Sequence, residues 1–257
     1  MIDFSDVSFL IPVRLDSINR LKNILTSIEF LLSHFKTNVI VLEASRYNNS
    51  ILQKLLPHDV KYLFVEDWNP IFHRTKYINQ LFAESHTPIV SIWDADIVIP
   101  VCQMMEAIVA LRSGNFEVSF PYEGSTFDVT EFIRDSYIES PNIDFLEKNT
   151  NKLSYLYGKN LCGGALFITS KAFIDSGKED ERFYGWGPED WNRVAKWNVL
   201  GYRIYRSKGA LFHLSHPRVI NGHHSWEEQK KYSFFILEQT RKSLQVEILN
   251  INDYDKN

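Results

Sequence analysis

Cysteine is nearly absent from this sequence, with Cys102 and Cys162 the only two in 257 residues. That makes a disulfide framework an unsuitable expectation and matches a reducing compartment. Neither cysteine lies in a Cys-x-x-Cys pair or near paired histidines, so both are expected as small buried apolar side chains. No stretch approaches the roughly 20 apolar residues of a membrane-spanning helix. The opening run MIDFSDVSFLIPVRLDS carries acids where a secretory leader carries bases, and its apolar core is short. The expectation is a soluble, cytoplasmic protein. An excess of basic charge is missing too. The 28 Lys and Arg against 32 Asp and Glu leave a net charge of -4, so nucleic acid is not an expected partner. No His-Glu-x-x-His occurs, which leaves a zinc protease unsupported.

What is present is apolar and aromatic. Hydrophobic residues make up 44% of the chain, enough for a substantial core, and aromatics reach 14%. Aromatic side chains serve cores, but they also suit sites that stack flat rings such as bases or sugars. The length fits one large domain or two intimately joined halves. Apolar runs predict strands over 7–13, 38–42, 60–65 and 88–93. Helical spacing of Ile18, Leu21, Ile24, Leu25, Ile28 and Leu32 predicts a helix over 17–33, with further helices over 50–56 and 75–84. Strands alternating with helices predict a parallel α/β sheet. Ligands of such sheets bind at the carboxyl ends of the strands, where Arg14, Glu43, Asp67, Asp94 and Asp96 fall. The second half is less regular. Helices are expected over 103–112 and 188–200, strands over 118–122 and 165–168 and near 203–205, and a C-terminal helix over 225–249. Residues 124–160 read as loops and short helices over the site. Internal repeats and low-complexity linkers are absent.

Four stretches carry possible chemistry. In Trp93-Asp94-Ala95-Asp96 two acids follow an apolar strand at i and i+2. They can face one side and grip a hard divalent cation, or simply make the turn that ends the strand. His213 and His216 are three apart, and imidazole suits Mn or Zn; the alternative is a pair of hydrogen-bonded histidines. The His223-His224 pair reads as a solvated loop. In FYGWGPEDWN, residues 183–192, two glycines bracket Trp186 and Pro188 opens a helix whose first turn holds Glu189 and Asp190. Such a position stabilises a charged carboxylate, which suits a base or merely complements the helix dipole. In FHRTKYIN, residues 72–79, Phe72 can stack on a base, and Arg74 and Lys76 can meet phosphate or simply start an amphipathic helix.

In this order the segments resemble the nucleotide-sugar glycosyltransferases of the GT-A fold, above all the β-1,4-galactosyltransferase and chondroitin-synthase-type transferases. FHRTKYIN is similar to that family's Phe-Asn-Arg-Ala-Lys-Leu-Leu-Asn, and WDADIVIP to its Asp-Val-Asp-Leu-Ile-Pro. CGGALFITSKAF is similar to its Gly-Gly-Val-Ser-Ala-Leu, FYGWGPEDWN to its Trp-Gly-Trp-Gly-Gly-Glu-Asp-Asp, and HLSHPR falls where the family has a metal histidine. The likeness runs from residue 7 to about 218. It implies a Rossmann-like, mostly parallel central sheet flanked by helices. One domain is implied: a nucleotide-binding half over about 1–100, a metal and acceptor half over about 101–225, and a terminal helix over about 226–257.

The resemblance also implies roles. Pro12 and Arg14 would line the nucleotide site, Glu43 would reach the ribose or base, and Phe72 and Arg74 would contact the uracil side. Asp94 would approach ribose or metal. Asp96 and His216 would bind Mn²⁺ (or Mg²⁺), with His213 where galactosyltransferases carry methionine. Gly163 and Gly164 would admit the donor sugar, Trp186 and Glu189 would hold donor and acceptor, and Asp190 would be the catalytic base. The implied activity is inverting transfer of a hexose or N-acetylhexosamine from a UDP-sugar to a saccharide acceptor in polysaccharide biosynthesis. A lipid-linked acceptor would add peripheral contact with the inner membrane face.

Two positions depart from the family pattern. Pro188 replaces a glycine, and Trp191 replaces a third acid, which bears on acceptor preference. Other classes stay open. A sugar-nucleotide nucleotidyltransferase would carry a glycine-rich loop after strand one, and Pro12-Val13-Arg14-Leu15-Asp16 has no glycine. A glycosidase could use the paired acids but would leave the histidines without a role. A non-catalytic homologue that binds UDP or a glycan is the third. The basic and aromatic residues Lys230, Lys231, Phe234, Phe235, Ile236, Arg241 and Lys242 read as a packed amphipathic helix, with membrane docking as the alternative.

Overall fold

The computed structural model describes residues 1–157, 161–185, 187–217 and 226–254. The chain runs β1 (Ile2–Val13), α1 (Ile18–His34), β2 (Phe35–Ser45), α2 (Ile51–Leu55), β3 (Val60–Glu66), α3 (Arg74–Ala83), β4 (Ile89–Trp93), β5 (Ile97–Val98) and α4 (Val101–Arg112). It continues with β6 (Val118–Phe120), β7 (Thr126–Val129), α5 (Glu131–Glu139), α6 (Ile143–Lys148), β8 (Ser154–Tyr157), β9 (Ala165–Thr169), α7 (Ser170–Asp175), α8 (Glu189–Val199), β10 (Ile204–Arg206), β11 (Leu211–Leu214) and α9 (Trp226–Tyr254).

Seven strands form the central sheet in the order β10-β6-β9-β4-β1-β2-β3. The β1–β2, β2–β3, β1–β4 and β6–β10 pairs are parallel. The one departure is β9, which runs antiparallel to both β4 and β6. The expected α/β class therefore holds. The strand after Gly163-Gly164 enters against the others, a direction that no local apolar run encodes.

The central strands are apolar because both faces are covered. In β1 the run from Val7 to Val13 is buried throughout. Helix α1 lays Ile24, Ile28 and Leu31 on that sheet, and the Ser17 side chain caps its start by accepting from the Arg20 amide. Trp93 at the end of β4 is fully buried, edge-on to Phe9 with centroids 5.3 Å apart. Its indole N–H donates to Ser27 Oγ at 3.2 Å, and Ser27 Oγ donates to the Ile97 carbonyl at 2.9 Å. These two bonds fix the turn between β4 and β5 against α1.

A second sheet, β5-β11-β7-β8, stands beside the first. Strands β7 and β8 occupy a segment expected to hold only loops and short helices. Each spans four residues, too few for an alternating pattern to stand out. Helices α5 and α6 fall in the same segment. Cys162 is buried as expected, but Cys102 is exposed. The buried face of α4 is formed by Gln103, Met104, Ala107, Ile108, Ala110 and Leu111, and Cys102 lies off that stripe. Among the described residues no helix is long and apolar enough to cross a membrane.

Candidate functional site

Strand register assembles the first part of the site. The two-residue strand β5 pairs antiparallel with β11, placing His213 opposite Ile97. The Leu214 amide donates to the Asp96 carbonyl at 2.8 Å. His213 and His216 are thereby delivered to Asp96: His216 Nε2 lies 3.1 Å from Oδ2 and His213 Nε2 lies 3.8 Å from Oδ1. One ligand atom from each of the three residues lies within 4.8 Å of the others. Two donors held at right angles around a Mg²⁺- or Mn²⁺-sized ion are about 3 Å apart, so the spacing fits a divalent cation. Asp96 is 4% exposed. Burial opposes its charge, but His213, His216 and Arg20 outweigh that and hold its carboxyl well below the usual carboxylate range.

The tautomers fit a cation as well. In the parallel β7–β11 pair Asp128 sits opposite His213, and its Oδ1 lies 2.8 Å from His213 Nδ1. A carboxylate only accepts, so the contact puts a proton on Nδ1 and makes Nε2, on the Asp96 side, the atom that would serve a cation. His216 Nδ1 is 2.9 Å from the Pro217 carbonyl and 3.1 Å from the Arg20 guanidinium. Donation to the carbonyl frees Nε2 for a metal. Acceptance from Arg20 leaves Nε2–H to donate to Asp96.

Asp94 does not join this cluster. Strand β4 ends at Trp93, so residues 94–96 follow a turn rather than the two-residue alternation of a strand. The Asp94 carboxylate accepts from Arg74 Nη2 at 2.7 Å and Nε at 3.1 Å. Arg74, at the start of α3, also reaches Asp190 at 3.3 Å through Nη1. Asp190 is held from its other side by Arg193 at 2.8 Å, one helical turn along α8. Arg193 in turn forks onto Glu179 at 2.7 and 2.9 Å. Glu189 is 5% exposed, and burial, with the neighbouring Asp190 charge, raises its carboxyl above the ordinary range.

Asp96, His213, His216, Asp94, Arg74 and Asp190 open on one cleft of about 380 Å³, also lined by Pro12, Phe72, Gly163, Gly164 and Trp191. Gly163 has a steric reason to be glycine: a Cβ there would lie 2.5 Å from Asp190 Oδ2. Gly164 has φ +85°, a conformation suited to glycine.

Three expected residues stand apart from the cleft lining. Arg14 is committed to the Ala44 carbonyl at 3.0 Å and to Asp67. Glu43 lies inside β2 rather than beyond its end, is 1% exposed and accepts from the Tyr62 hydroxyl at 2.8 Å. Glu189 is buried, and Asp190 rather than Glu189 lines the cleft. Trp186, His223 and His224 lie outside the described residues. Sequence reasoning missed Arg20, 3.3 Å from Asp96, and Asp128. The only local sign of Arg20 is its place in the first turn of a helix that follows a strand. Asp128 lies in a strand too short to be recognised.

No protein-family model matches the chain, and no curated protein sequence matches it. Solved structures do. The catalytic domain of Drosophila beta1,4galactosyltransferase 7, in complex with xylobiose, is similar with a TM-score of 0.56 at 15% identity, over 91% of this chain and 79% of that one. The mannosyltransferase PcManGT from Pyrobaculum calidifontis, in complex with GDP-Man and Mn2+, is similar with a TM-score of 0.51 at 16% identity, over 83% of this chain and 58% of that one. The chain has the fold of these GT-A glycosyltransferases: a large, mostly parallel sheet flanked by helices.

Proposed function

We propose that this protein is a metal-dependent, inverting glycosyltransferase that moves a hexose or N-acetylhexosamine from a UDP-sugar to a saccharide acceptor. One observation carries the proposal. A carboxylate-imidazole cluster and a separate carboxylate, Asp190, open on the same cleft in a chain with the GT-A fold. The glycosyltransferase neighbours, one in complex with a nucleotide sugar and Mn2+ and one with a saccharide, add support.

Asp96, His213 and His216 would hold a divalent cation whose charge neutralises a diphosphate leaving group. Arg20 lines the same end of the cleft and supplies a second positive charge there. Asp190 takes the proton of the acceptor hydroxyl as that oxygen attacks the anomeric carbon. The new C–O bond forms on the face opposite the diphosphate, and the old bond breaks with its electron pair on the diphosphate oxygen. Arg74 and Arg193 fix the Asp190 carboxylate from two sides. Phe72 and Pro12 at the cleft wall receive the nucleotide.

Calorimetric titration of UDP, with GDP in parallel, tests the assignment in Mn²⁺ and then in EDTA. UDP binding that requires Mn²⁺ is expected. Binding of neither nucleotide under either condition would sink the proposal, and binding of GDP alone would replace the donor.

Gly163→Ala provides a second test, since its added methyl must push the Asp190 carboxylate aside. A displacement of about 1 Å is expected to lower turnover by about 10²-fold while nucleotide affinity is kept. Unchanged turnover would show that the Asp190 position does not matter.

A further inference from the structure

We propose that Trp191 is the stacking platform for the acceptor saccharide, so that the acceptor is recognised by an apolar sugar face rather than by hydroxyl groups alone. The proposal rests on the transferase reading and names the acceptor chemistry of the same site.

Trp191 directly follows Asp190 in the first turn of α8, and both side chains line the cleft. A hydroxyl that gives its proton to Asp190 must lie within hydrogen-bond reach of that carboxylate. The ring carrying the hydroxyl then extends across whatever adjoins Asp190, and the neighbour on the same helical turn is an indole. Trp191 lines the cleft and is 45% exposed overall, so its large apolar side chain is not used up by packing. Its ring is not loose. Phe234 of α9 packs edge-to-face against it, with centroids 5.7 Å apart and planes at 66°. Helix α9 is itself tied to α8, since Asn192 Nδ2 donates to the Ser233 carbonyl at 3.1 Å and to Ser233 Oγ at 2.9 Å. The indole is thus held from behind while much of its surface remains available.

The rest of the cleft is divided in chemistry. The end formed by Asp96, His213, His216 and Arg20 is charged. Leu156, Tyr157 and Leu161 give the lining an apolar part. A pyranose presents a C–H face and a rim of hydroxyls. A carboxylate would read the rim, because it only accepts hydrogen bonds. An indole offers one N–H and a broad apolar ring, so it reads the face. The class of acceptor that fits is a pyranoside with a continuous C–H face.

The test is saturation-transfer NMR with methyl β-glycosides of xylose, glucose, galactose and N-acetylglucosamine, each with protein, UDP and Mg²⁺. Wild type, Trp191→Phe and Trp191→Ala are compared, and UDP affinity is measured by calorimetry in the same buffer. The expected result is transfer to the C–H face of at least one pyranoside. Affinity should survive in Trp191→Phe and fall about tenfold or more in Trp191→Ala, while UDP affinity stays the same. Equal pyranoside affinity in wild type and Trp191→Ala would overturn the platform. So would a wild-type protein that binds UDP but none of the four pyranosides. Loss of UDP affinity in parallel with pyranoside affinity would assign Trp191 a structural role and also overturn it. Failure of the transferase reading is separately visible as wild-type protein that binds no UDP.

Discussion

Asp190→Asn is expected to abolish transfer, lowering turnover by about 10²- to 10⁴-fold, while UDP and Mn²⁺ bind as before. The amide keeps the shape of the carboxylate but cannot take the acceptor proton. Structural collapse is not expected, because neither arginine that holds Asp190 is orphaned. Arg74 keeps its two bonds to Asp94, and Arg193 keeps its fork onto Glu179. The measurement is single-turnover transfer from a UDP-sugar beside a calorimetric UDP titration. Unchanged turnover would remove Asp190 as the base. A parallel loss of nucleotide affinity would instead make it a residue that shapes the donor site.

Asp96→Ala should act on the other end of the cleft. The variant loses the one carboxylate of the cluster and leaves two imidazoles, a weaker set for a hard cation. UDP affinity in Mn²⁺ is expected to fall to the level seen in EDTA. Binding to the native state alone stabilises it, by about 2.7 kcal/mol at a ligand concentration of 100 Kd. Mn²⁺ should therefore raise the unfolding midpoint of the wild type and leave that of Asp96→Ala unchanged. The variant should still fold, since Arg20 retains its contact with Asp16 at 3.0 Å. A Mn²⁺-dependent midpoint shift equal to that of the wild type would place the metal elsewhere.

Much of the first half was legible because its signals are local. Apolar runs marked β1 to β4, and 3.6-residue spacing marked α1, since one face of a helix or strand is written in a few neighbouring residues. The residues that end those strands could be named for the same reason, and Asp94 and Asp96 do line the cleft. The same logic overreached at Glu43. Its position suggested an open strand end, whereas Glu43 lies inside β2 and is buried on Tyr62. Asp94 does follow the end of β4 and lines the cleft, paired with Arg74.

By itself the sequence determined the α/β class, the order of the four chemical stretches, and the closeness of Glu189-Asp190 to a helix start. Only the tertiary structure decided which of these groups meet. Arg20 and His216 are 196 residues apart, and their 3.1 Å contact depends on α1 packing beside the β5–β11 pair. Asp128 reaches His213 only because β7 pairs with β11 in one register, from a strand of four residues. A short window of sequence records which face of an element is apolar. It does not record which distant element covers that face or in what register, and the geometry of the metal cluster and of Asp190 depends on both.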